Sequence, residues 1–70
     1  KASFVIYETN GVINISARSM GACNVQIVME SLGGGGHLTM AATQLNCSMN
    51  EARKRLADAI DEYWENNSQE

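Results

Sequence analysis

Most of the usual sources of chemistry are missing from this sequence. It has one histidine, His37, and two cysteines, Cys23 and Cys47, with no C-x-x-C and no Cys/His cluster. A structural zinc site takes four such ligands, so zinc is argued against. The thiols then read as reduced, as in the cytosol. No Lys follows the glycines with P-loop spacing, and the single His has no partner acid in its own segment to build a nucleophilic triad. No apolar run approaches the roughly 20 residues of a membrane helix, and no signal-peptide pattern is present. Charged residues make up 19% and hydrophobic ones 44%, a balance that argues against disorder. The net charge is −3. The lack of a basic stripe argues against a strong nonspecific nucleic-acid binder. A small anionic ligand is not, because it needs only one or two cations and a few aimed amides.

Seventy residues hold one domain, and a chain this short buries only about 60% of its unfolded surface. A large enclosed active-site cavity does not fit. The chain opens on Lys1, with no Met, and reads as a piece of something longer. Its charge is unevenly placed. Up to Ser48, Lys1 and Arg18 balance Glu8 and Glu30, and all the net acidity lies in the last third.

Residues 2–9 are rich in β-branched and aromatic types and predict a strand. Asn10-Gly11 signals a type I′ hairpin turn, and residues 12–18 alternate as a second strand. A two-residue loop pairs Ile6 with Ile15 and Phe4 with Ala17, giving a core face of Phe4, Ile6, Ile13, Ile15 and Ala17. The other face carries Val5, Tyr7, Asn14, Ser16 and Arg18. After a loop at 19–23, Asn24 caps a short helix over 25–32, which Gly33 stops. Residues 40–46 are ambiguous and are read as a third strand, because two strands alone are marginal. Ser48-Met49-Asn50-Glu51 matches the capping box. It opens a helix over about 49–66, with a stripe of Met49, Ala52, Leu56, Ile60 and Tyr63 that Ala59 and Trp64 extend. The expected fold class is α+β in the order β-β-α-β-α, a small sheet with a hairpin and two helices packed on it. Residues 67–70 form a frayed tail.

Four consecutive glycines, Gly33, Gly34, Gly35 and Gly36, need an explanation. Each costs roughly 0.5–1 kcal/mol relative to Ala where the chain is ordered, and a helix stop needs only one. The bland alternative is a hinge. The functional reading is bare backbone that lets an anion reach the amides. His37 ends this loop, where a ring N–H can donate to a phosphate oxygen or a base edge; a lone His is otherwise usually satisfied by a carbonyl. Arg18, the only base between Lys1 and Arg53, is either a solvated strand end or a bidentate phosphate clamp. Ser19 beside it offers a hydroxyl. A G-x-x-G such as Gly33 to Gly36 is also what KH domains use on RNA backbone, but the basic flanks are absent. The acids of the last helix read as its solvated face.

Ile15-Ser16-Ala17-Arg18-Ser19, Asn24-Val25-Gln26, Leu32-Gly33-Gly34-Gly35-Gly36-His37 and Ala41-Ala42-Thr43 together resemble the DHHA1 domain of the DHH phosphoesterase superfamily. The wording around the glycines looks closest to the C-terminal part of membrane-anchored cyclic-di-AMP phosphodiesterases of Gram-positive bacteria. The resemblance runs from about Phe4 to Ile60 and implies that residues 1–66 are the C-terminal part of a larger DHHA1 domain. It implies that Gly33, Gly34, Gly35, Gly36 and His37 hold a nucleotide, and that Arg18 and Ser19 reach phosphate. Catalytic residues and metal ligands are expected outside this chain, in a DHH domain of the same parent that carries paired manganese ions. No cofactor is expected in this piece, which alone is expected to be inactive. The implied partners are a cyclic dinucleotide or short oligonucleotide and the parent's DHH domain, and an exposed outer sheet face invites a homodimer. The implied location is a cytoplasmic domain of a parent anchored in the bacterial membrane. Two other classes stay open: a noncatalytic single-strand nucleic-acid module of the same superfamily, and a structural domain whose glycines are a hinge.

Overall fold

Asn10 and Gly11 take φ of 53° and 78°, the two positive values that a type I′ turn requires. They join β1 (Ala2–Thr9) to β2 (Val12–Ser19), with Ile6 opposite Ile15 and Phe4 opposite Ala17, the register expected from the sequence. The computed structural model describes residues 2–20 and 23–67. The loop expected at 19–23 lies partly outside them, as does the tail beyond Asn67.

Helix α1 (Val25–Glu30) starts where the Asn24 side chain accepts the amides of Gln26 and Ile27. Its regular turns end at Glu30 rather than at Leu32, and residues 31–32 continue it as a tightened turn. Gly33, at φ 91°, donates to the Glu30 carbonyl at 3.0 Å, and Gly34 to that of Met29 at 2.8 Å. These two bonds form a Schellman close around a left-handed glycine.

The chain then makes a strand that propensity does not suggest. Gly35 and Gly36 form β3, paired antiparallel with β4 (Met40–Leu45). The α+β class stands, and the observed order is β-β-α-β-β-α. The antiparallel sheet runs β1-β2-β4-β3, so β4 pairs with β2 across the intervening helix and hairpin. Helix α2 (Met49–Asn67) begins where Ser48 Oγ accepts the Glu51 amide at 3.1 Å.

Both helices contribute to one core with the inner sheet face. Ile13, Ile15, Ala17, Ala41 and Leu45 meet Val25, Val28 and Met29 of α1 and Ala52, Leu56, Ala59 and Tyr63 of α2, with Phe4 and Ile6 packed at the margin. Two polar contacts tie the layers together. Buried Thr43 donates its hydroxyl to the Leu32 carbonyl at 3.1 Å, and the Tyr63 hydroxyl accepts the Asn24 amide at 2.9 Å. Trp64 departs from the expected stripe. It is 46% exposed and meets the Tyr63 ring edge-on at 5.3 Å. Burial raises the pKa of the Cys23 thiol, so it is held as an inert core group.

Candidate functional site

Strand alternation sends every second residue to the sheet face that the helices leave bare. Register then arranges these residues in three cross-strand rows. The first is Ser3–Arg18–Met40, the second Val5–Ser16–Ala42–Gly35, and the third Tyr7–Asn14–Gln44. The rows contain no carboxylate. Val5, Tyr7 and Met40 keep 57%, 49% and 51% of their surface exposed, so this face is uncovered among the described residues.

Arg18 is exposed at the end of β2. It lines an open cleft of about 510 Å³ with Ser3, Ser19, Thr39 and Met40. Ser19 is more constrained. Its hydroxyl accepts the Cys23 amide at 3.3 Å, so part of its role is to fix Cys23 against the end of β2. The β3–β4 hairpin tip is pinned from two sides. Ser19 N–H donates to the Thr39 carbonyl at 3.0 Å, and Val25 N–H to that of Leu38 at 3.2 Å. His37 donates its amide to the Met40 carbonyl at 2.6 Å, which extends the β3–β4 register by one residue and puts His37 at the end of the Arg18 row. Two strand spacings, roughly 10 Å, separate the two residues. His37 is exposed.

The glycines divide by role. Gly33 supplies the left-handed helix close. A Cβ on Gly34 would collide with the Ala42 carbonyl and with Thr43, and one on Gly36 would come within 2.5 Å of the Ala41 backbone. Close strand packing therefore accounts for both. Gly35 is different: its Cβ would meet nothing within 4 Å, and its register partner is Ala42 on the bare face.

A second cleft, about 530 Å³, brings Gly33 together with Tyr7, Asn14, Ser16, Ala42 and Gln44. The residues singled out from the sequence are thus split. Arg18 and Ser19 share one cleft, Gly33 belongs to the other, and Gly34, Gly35, Gly36 and His37 line neither. Sequence reasoning missed Thr39, Met40, Tyr7, Asn14 and Gln44 as site residues. Alternation alone marks their outward face; what brings them together is the β2–β4 pairing, which is nonlocal.

Among the described residues, no group of three or more His, Cys, Asp or Glu is placed to hold a metal ion. No step is routed through a metal here. Among the described residues no helix is long and apolar enough to cross a membrane.

Comparison with known proteins agrees with this fold. The chain is 58% identical over 66 residues to cyclic-di-AMP phosphodiesterase PdeA of Listeria monocytogenes, covering 91% of this chain and 10% of that protein. It is 57% identical over 67 residues to cyclic-di-AMP phosphodiesterase GdpP of Bacillus subtilis, covering 93% and 10%. A protein of Onion yellows phytoplasma, named a membrane protein–large ribosomal subunit bL9 fusion protein, is 53% identical over 45 residues, covering 63% and 5%. The chain spans about a tenth of the length of the two phosphodiesterases. The DHHA1 domain family matches residues 1–66, and with nearly the whole sequence inside that match the chain belongs to the DHHA1 domain family.

Proposed function

We propose that this chain is the substrate-binding C-terminal subdomain of a DHH-type phosphodiesterase that hydrolyses cyclic di-AMP. On this reading it grips the nucleotide and breaks no bond itself. The observation that carries it is the carboxylate-free outer face with Arg18 exposed in a cleft at its end. A phosphodiester anion approaching there meets no like charge from the strands. A planar guanidinium suits it, because two parallel N–H donors match two phosphate oxygens. His37, in the same row, adds a second donor near the β3 edge. Gly35 keeps that edge bare, so the ligand can lie close to the sheet.

The likeness to two named cyclic-di-AMP phosphodiesterases supports the choice of ligand. Activation of the attacking water is assigned to a manganese-bearing DHH domain elsewhere in the parent, since this chain offers no metal donor cluster among the described residues. In the parent, the ligand is then held between the two domains, at the cytoplasmic side of the anchoring membrane.

Titration of the ¹⁵N-labelled chain with cyclic di-AMP tests the proposal. Amide shifts are expected to cluster at Arg18, Ser19 and residues 33–37. Arg18→Ala should weaken binding by about tenfold or more, since a hydrogen bond to a charged group contributes roughly 1.5–3 kcal/mol. No shifts at millimolar ligand would overturn the assignment. Hydrolysis by the isolated chain in manganese would overturn the division of labour.

A further inference from the structure

The cleft around the Tyr7–Asn14–Gln44 row is left over by the phosphate-gripping reading, yet it holds the most directional polar groups of the outer face. Asn14 Nδ2 donates to the Val12 carbonyl at 3.2 Å. Gln44 Nε2 donates to Asn14 Oδ1 at 3.0 Å. A backbone carbonyl can only accept. It therefore decides which end of the Asn14 amide faces it, and the Asn14 oxygen then decides which end of Gln44 faces Asn14. Turning either amide round would set two oxygens against each other. The relay leaves Gln44 with its Oε1 as acceptor and its second Nε2–H as donor, with no further protein partner among the described residues. Tyr7, directly opposite Asn14 and half exposed, places an aromatic side chain beside this pair, and base–aromatic stacking contributes about 1–3 kcal/mol where it occurs. Ser16 and Ala42 make a low floor toward Arg18, which lies four residues up β2, roughly 13 Å away.

An amide that presents one acceptor and one donor is complementary to a 6-aminopurine, whose amino group donates and whose neighbouring ring nitrogen accepts. Along the edge that carries ring nitrogen N1, a 6-oxopurine held in the same orientation by its phosphate shows the reverse order, an acceptor oxygen beside a donor N–H. To meet it the amide would have to turn round, which the Val12 carbonyl opposes through Asn14. We propose that Gln44, oriented by Asn14, is the adenine-reading residue of this face, and that Asn14 is its positioning residue. The inference rests on the reading above that the outer face takes a nucleotide.

Calorimetric titration of the chain with cyclic di-AMP and with cyclic di-GMP tests it. Wild type should prefer cyclic di-AMP by about tenfold, the discrimination expected of one bidentate amide–base pair. Gln44→Leu, at an exposed position, should bring the two ligands within about threefold, as should Asn14→Leu, both checked for an unchanged fold by circular dichroism. Arg18→Ala should weaken both ligands by the same factor and leave their ratio intact. A wild-type ratio within threefold, or a preference that survives in Gln44→Leu, overturns the inference while the phosphate-gripping proposal stands. Binding of neither ligand at millimolar concentration overturns both.

Discussion

Gly34 and Gly35 are neighbours with opposite sensitivities. A methyl on Gly34 runs into the β4 backbone, whereas one on Gly35 meets open space on the bare face. Gly34→Ala should therefore destabilise by about 1–3 kcal/mol, as overpacking does, and Gly35→Ala should stay within about 0.5 kcal/mol of wild type. Urea unfolding midpoints of the two variants check this. If Gly35 is bare for the ligand, Gly35→Val should keep the midpoint yet weaken cyclic di-AMP binding. From the sequence the four glycines form one feature, because nothing in a glycine run says which residue faces β4. The structure assigns three of them to the chain's own geometry. On the proposed reading, the ligand-facing role among the four glycines falls to Gly35, together with Arg18 and His37, the isolated base and the single imidazole that the sequence singles out in the front segment.

The most readable elements were the ones with local causes. Asn10-Gly11, the Asn24 cap and the Ser48 capping-box residue each act within a few residues of themselves, and each was found where the sequence put it. Strand β3 was not legible, because two glycines carry no β propensity and pair only through the backbone of β4. Its placement depends on an element-to-element contact: the Thr43 hydroxyl on the Leu32 carbonyl, which anchors β4 to the close of α1. Thr43→Val keeps the shape and removes the donor, leaving a buried carbonyl unsatisfied. A loss of about 1–3 kcal/mol is expected, read by thermal unfolding, with the glycine amides 33–36 exchanging faster with solvent than the β1–β2 amides do. Equal protection of both sets would contradict this anchoring role.

Across the whole molecule charge is sorted by layer. Helix α2, which packs on the inner face, carries five acids against three bases, while the outer rows carry Arg18 and no carboxylate. One or two phosphate contacts give a shallow salt response. Affinity for cyclic di-AMP should fall by about three- to twelvefold between 50 and 200 mM salt, whereas a binder of 6–10 phosphates loses about a thousandfold or more over the same rise. A steep response, with single strands preferred to the dinucleotide, would instead mark a nucleic-acid module. The sorting has a further consequence at the hairpin turn. Because side chains alternate with a period of two, the number of residues in that turn acts as a phase setting for β1. One residue added between Asn10 and Gly11 that shifted the β1 register by one would bring Phe4 and Ile6 out onto the bare face and carry Tyr7 inward. A turn at the opposite end of the hairpin from Arg18 thus decides, by odd or even count alone, whether an aromatic ring stands on the bare face.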